Sequence, residues 1–152
     1  MKQITLNLDK KQQRPMVLLQ SGLTALLDTG AFIPIWTGGK ELLEEEFGGE
    51  SQNRKVSFSG FGGKLWGDLY SVTLSVGDLI FNHMSIIVSN NLGITPYQFI
   101  MSATMFDHLI YEVDMKWHKL NIKIPDDESF VRNLRLVDKN GKMYILCHSE
   151  QK

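Results

Sequence analysis

Cysteine is nearly absent: Cys147 stands alone, so no disulfide can close within the chain. The fold must rest on a hydrophobic core, and a reducing compartment is its natural setting. Long hydrophobic runs are missing too. Nothing approaches the roughly 18 residues of a membrane span, and residues 1–15 lack the apolar stretch of a signal peptide. A cytoplasmic protein without a membrane partner is expected. Charge of one sign is not in excess either, since 16 basic and 17 acidic residues leave a net charge of −1. That balance gives no electrostatic footprint for nucleic acid. His83, His108, His118 and His148 are the only histidines. None has a second ligand at a zinc spacing, so neither a metal nor a cofactor is expected.

What is present is core-forming material, with 43% hydrophobic and 22% charged residues in a chain of 152. That length suits one domain with a modest core. Ile4, Leu6 and Leu8 alternate with polar residues, as in a half-buried strand. Residues 16–20 and 23–27 flank Ser21-Gly22 and predict a hairpin with a two-residue turn. Residues 40–47 combine helix formers with Leu43 and Phe47 at i,i+4, and Gly48 follows as a C-cap. Strands resume at 56–58 and 65–76 around the tip Ser59-Gly60-Phe61-Gly62-Gly63, then at 79–81 and 85–88. A short apolar strand, Gln98–Met101, leads into a helical candidate over 102–109 with Ser102 as its N-cap. Residues 111–116 and 119–124 form a last core hairpin ending at Pro125. Beyond the solvated linker 126–128, Asn140-Gly141 predicts a further hairpin between 134–137 and 143–146.

The stretch that carries chemistry is Leu26-Leu27-Asp28-Thr29-Gly30-Ala31. An apolar strand delivers a carboxylate to the base of a cleft, a short hydroxyl residue can lock the loop, and a glycine permits a sharp turn. As a bare tripeptide, Asp-Thr-Gly is most often a plain β-turn. The apolar pair before it and Ala31-Phe32-Ile33 after it make it more specific. Other carboxylates have simpler readings: Glu44, Glu45 and Glu46 as a solvated helix face, and Asp68, Asp78 and Asp114 in strands or turns. Trp36, Trp66 and Trp117 read as core or cleft wall.

Residues 26–31 match in full the apolar-apolar-Asp-Thr/Ser-Gly-Ala motif of the retropepsins, the aspartic proteases of retroviruses and of their cellular, bacterial and mobile-element relatives. The sequence resembles that family over roughly residues 1–124. About thirty residues after the motif comes the glycine-rich tip 59–63, where the family carries its substrate-covering flap. About forty residues further, Ile100-Met101-Ser102 stands where the family has two apolar residues, a glycine and a helix. The resemblance implies a mainly β, retropepsin-like closed or partly open barrel, half of an acid protease, with one or two short helices. It implies a protease domain at 1–125 and an extension at 126–152, a probable β-hairpin. Asp28 would be catalytic, Thr29, Gly30 and Ala31 the active-site loop, Ser59 to Gly63 the flap, and Ile100, Met101 and Ser102 the support of the loop. Peptide hydrolysis by activated water needs one group to take a proton and another to give one. A pair of aspartates sharing a proton supplies both roles, as in the dyad of aspartic proteases generally. With one Asp-Thr-Gly and no internal repeat, the second acid must come from another copy. The expected assembly is a homodimer acting on polypeptide.

The sequence departs from the family at four positions. Ser102 and Ala103 replace the usual glycine and arginine, and Phe32 and Ile33 stand where retroviral members carry the acidic partner of that arginine. Both ends of an ion pair are missing together. Two other functions are compatible with the sequence: a catalytically impaired peptide-binding or dimerisation module of the same fold, and a structural β-domain in which Asp28-Thr29-Gly30 is a turn.

Overall fold

The computed structural model describes residues 2–19, 22–28, 30–31, 33–60, 63–77, 79–89, 97–106, 109–124, 136–139 and 142–146. Strands dominate. β1 (Lys2–Asn7), β2 (Met16–Leu18), β3 (Thr24–Asp28) and β4 (Ile35–Trp36) precede the helix α1 (Lys40–Phe47). After it come β5 (Glu50–Gly60), β6 (Gly63–Val76), β7 (Leu79–Val88) and β8 (Phe99–Ser102), then a 3-10 turn over Ala103–Phe106. β9 (Ile110–Asp114), β10 (Lys119–Ile124), β11 (Leu136–Lys139) and β12 (Lys142–Leu146) complete the order.

Two sheets share one core. The smaller runs β1-β10-β9, all antiparallel. The larger has nine strands, seven of them in the order β11-β12-β7-β4-β8-β3-β2, with β6 joined to β7 and β5 to β6. Alternation along β1 and β10 turns Ile4, Leu6, Leu120 and Ile122 inward, where they meet Val17, Leu27, Val76, Leu79, Phe81 and Phe106 of the main cluster. Each such side chain, fully buried, contributes about 1.5–3 kcal/mol. Trp36 lies at the centre with no exposed surface, its ring against Phe47 of α1 at 5.6 Å and Phe99 of β8 at 6.3 Å.

α1 has the bounds the sequence predicts. Gly48 ends it in the left-handed region at φ 67°, which lets the Gly49 N–H reach back to the Leu43 carbonyl. The helix expected over 102–109 differs: Ser102 belongs to β8, and only the 3-10 turn follows. Ser102 pairs with Asp28 as the last residue of the strand, and its Oγ lies against Thr104 Oγ1. Residues 107 and 108 lie outside the described set. The hairpin around 21–22 is present, with Leu18 opposite Thr24 and a bond from Leu19 N–H to Leu23 C=O. Ser21 of the expected turn, and Gln20 before it, lie outside the described residues. The tail pairs as β11 and β12 across 140–141, and β12 adds to β7 in parallel.

Candidate active site

β3 is apolar through Ala25, Leu26 and Leu27, all buried, and its last residue is the half-buried Asp28. It runs parallel to β8, and the final pair of that ladder is Asp28 opposite Ser102. β3 and β4 follow one another in sequence but are not neighbours, because β8 lies between them. The connection from Asp28 to Pro34 therefore crosses the end of β8, and the carboxylate sits at the start of that crossing. Its Oδ1 accepts the Gly30 N–H at 3.0 Å, while its carbonyl accepts the Ala31 N–H at 3.1 Å. The loop is thereby closed around its own acid. Thr29 and Phe32 lie outside the described residues.

Register decides what Asp28 faces. Ile35 opposes both Ile87 and Ile100, Leu26 opposes Ile100, and Met16 opposes Leu26. Directly opposed residues share a face, and alternation places Asp28 on the face of Leu26. Met16, Leu26, Ile35, Tyr97 and Ile100, with Ala31 packed on them, form an apolar cluster separate from the main core. The acid thus stands on the side of the sheet that carries this second cluster. Met101 points the other way, into the main core. Ser102 is buried completely, and its Oγ lies 2.6 Å from Thr104 Oγ1.

The glycine-rich hairpin runs on beyond the end of the large sheet. The ladder between β6 and β7 ends at Asp68 opposite Val88, whereas β5 and β6 continue to Gly60 opposite Gly63. Five pairs, about 17 Å of ribbon, extend beyond the sheet. Phe61 and Gly62 at the tip lie outside the described set, as do the side-chain placements of Phe58, Ser59 and Leu65. At the root, a Cβ on Gly67 would stand 2.3 Å from Ile87 Cγ2. Gly67 thus rests on Ile87, and Ile87 opposes Ile35 on the Asp28 side. Root and acid share a face.

α1 is tied to that root by the buried Tyr70, whose hydroxyl donates to a Glu44 carboxylate oxygen. This bond, followed by burial and the charge of Glu44 itself, pushes the phenol up to about 12. Glu44 is therefore more than a solvated helix face. Asp68 likewise has a partner, an exposed ion pair with Lys55 at 2.8 Å. Trp66 and Trp117 are exposed at 56% and 65%, so neither belongs to the core. Gly30 differs from expectation as well. Its φ is outside the left-handed region, and among the described residues a Cβ there would meet Asp28 Oδ1 at 3.4 Å.

Two features are not apparent from sequence: β4 and the apolar cluster beside Asp28. β4 has two residues, too few for periodicity, and Pro34 before it is the available signal. Leu26 and Ile100 are visible as strand residues, but their meeting depends on β8 inserting between β3 and β4. Among the described residues no group of three or more His, Cys, Asp or Glu could hold a metal ion. No protein-family model matches the sequence, and no curated protein matches it.

Proposed function

We propose that the chain is one half of an aspartic endopeptidase of the retroviral type, working as a two-fold homodimer on extended polypeptide. The observation that carries this reading is the position of the Asp28-Thr29-Gly30-Ala31 loop. It leaves an apolar strand, crosses the end of β8, and belongs to the same sheet as a long β5–β6 ribbon with glycines at its end. The two sheets are then the wall of a partly open retropepsin-like barrel, and the ribbon is its flap. The single cysteine fits a reducing, cytoplasmic setting.

The chemistry follows from two Asp28 carboxyls meeting across the dimer axis. Two acids within hydrogen-bonding distance share one proton, because both cannot ionise cheaply. The ionised one takes a proton from a bridging water, whose oxygen attacks the scissile carbonyl carbon. The protonated one gives its proton to the carbonyl oxygen, producing a gem-diol. The first acid then gives its proton to the amide nitrogen while the second takes one from a gem-diol hydroxyl, which breaks the C–N bond, leaves an acid and an amine, and restores the singly protonated pair. The Gly30 N–H holds one Asp28 oxygen in place throughout. The family resemblance suggests cleavage next to apolar side chains, while the buried Leu26, Ile35 and Ile100 beside the acid hold its strand in place.

The test is cleavage of a mixed peptide library followed by mass spectrometry, for wild type and Asp28→Asn. Wild type is expected to cut beside apolar residues and to be inhibited by a pepstatin-type compound. Asp28→Asn is expected to lose about a thousandfold or more. Undiminished cleavage in Asp28→Asn removes the reading.

A further inference from the structure

We infer that Ser102 is a positioning residue for Asp28, acting through a hydroxyl pair between its own buried Oγ and that of the exposed Thr104. The inference rests on the protease reading above for its consequence, but not for its geometry. Ser102 is the last residue of β8 and the direct opposite of Asp28 in the parallel ladder. It has no exposed surface and, with Ser89, is one of two buried polar residues among those described. Its Oγ lies 2.6 Å from Thr104 Oγ1, two residues on and inside the 3-10 turn.

The backbone changes course at this point, from extended at Ser102 to a tight turn at Ala103. A hydroxyl pair across that junction fixes the turn to the strand end. The strand end is laddered to Asp28, so a shift of Ser102 is transmitted to the carboxylate. Burial makes the bond matter, because an orphaned hydroxyl there keeps its desolvation cost. The sequence explains the need. Ala103 between them offers only a methyl, so the two hydroxyls are the polar side-chain groups that the sequence supplies at this junction. Dyad chemistry tolerates little displacement, and a misplacement of about 1 Å costs on the order of a hundredfold in rate.

Ser102→Ala, Thr104→Val and the double variant test this beside Ser102→Thr, which keeps a hydroxyl. Thr104 is exposed, so Thr104→Val removes the partner without disturbing the core. Each single variant is expected to lower kcat about tenfold or more with KM nearly unchanged, and the double to be no worse than either single. Ser102→Thr is expected to restore kcat. A second readout needs no cleavage: the NMR amide signal of Gly30, whose N–H is bonded to Asp28. Ser102→Ala and Thr104→Val are expected to move and broaden it, and Ser102→Thr to return it. A wild type that never cleaves, with a Gly30 signal that still moves, removes the protease reading and keeps the positioning role. Unchanged kcat and an unchanged Gly30 signal in folded Thr104→Val overturn the inference.

Discussion

A side chain at position 67 has nowhere to go. Its first carbon would fall 2.3 Å from Ile87 Cγ2 and 2.7 Å from the Val88 carbonyl oxygen, and the carbonyl belongs to the backbone of β7 and cannot rotate aside. Glycine is therefore demanded here by close approach and not by φ. Gly67→Ala is expected to destabilise the fold by about 1–3 kcal/mol, read from urea unfolding, and Gly67→Val by more. A melting curve unchanged in Gly67→Ala would show that β6 does not press on β7 as described. Gly30 is the contrasting residue, since its surroundings within one chain accept a methyl.

The helix and the ribbon root are coupled at the level of elements. Tyr70 of β6 donates to Glu44 of α1, and the phenol pKa rises from 10.0 to about 12, first because of that bond and then because of burial. A raised phenol pKa means that the fold favours the neutral form. The associated stability is complete below pH 10 and is lost as pH climbs through about 12. Comparing wild type with Tyr70→Phe isolates it. The difference in unfolding free energy should stay constant through neutral pH and shrink between about pH 10 and 12. A difference that grows in that window would reverse the assignment. This coupling also marks what can be read from sequence. α1 is legible because its propensity, its apolar spacing and Gly48 agree. The hairpins are legible because glycine turns separate alternating runs. The stretch 102–109 misleads because its composition suits a helix, while the ladder with β3 claims Ser102 for a strand. Asp28 is legible from a local motif. Its apolar neighbours are not, because Leu26, Ile35 and Ile100 come together only through strand order.

At the scale of the whole molecule, the protease reading needs a second acid. One chain offers one Asp-Thr-Gly, and dyad chemistry requires two. The small sheet gives an independent reason to consider assembly, since its edge strand β9 leaves Ile110 52% and Val113 37% exposed. Glu112 and Asp114 lie on the same strand, so two copies of β9 laid antiparallel would bring like charges together. The protease reading therefore does not depend on that edge, and it makes a quantitative demand that holds for any two-fold interface. When wild type is mixed with an equal amount of Asp28→Asn and allowed to exchange, random pairing leaves about half of the wild-type chains in wild-type dimers. At fixed wild-type concentration, activity should fall to about half if one intact acid in a mixed dimer is insufficient. A tenfold excess of the variant should leave roughly a tenth. Dilution should also lower activity per chain, because dissociation removes sites. A site complete within one chain would be indifferent to the added variant, and wild-type activity unaltered by any excess of Asp28→Asn, with subunit exchange verified by mass spectrometry, would exclude a shared dyad.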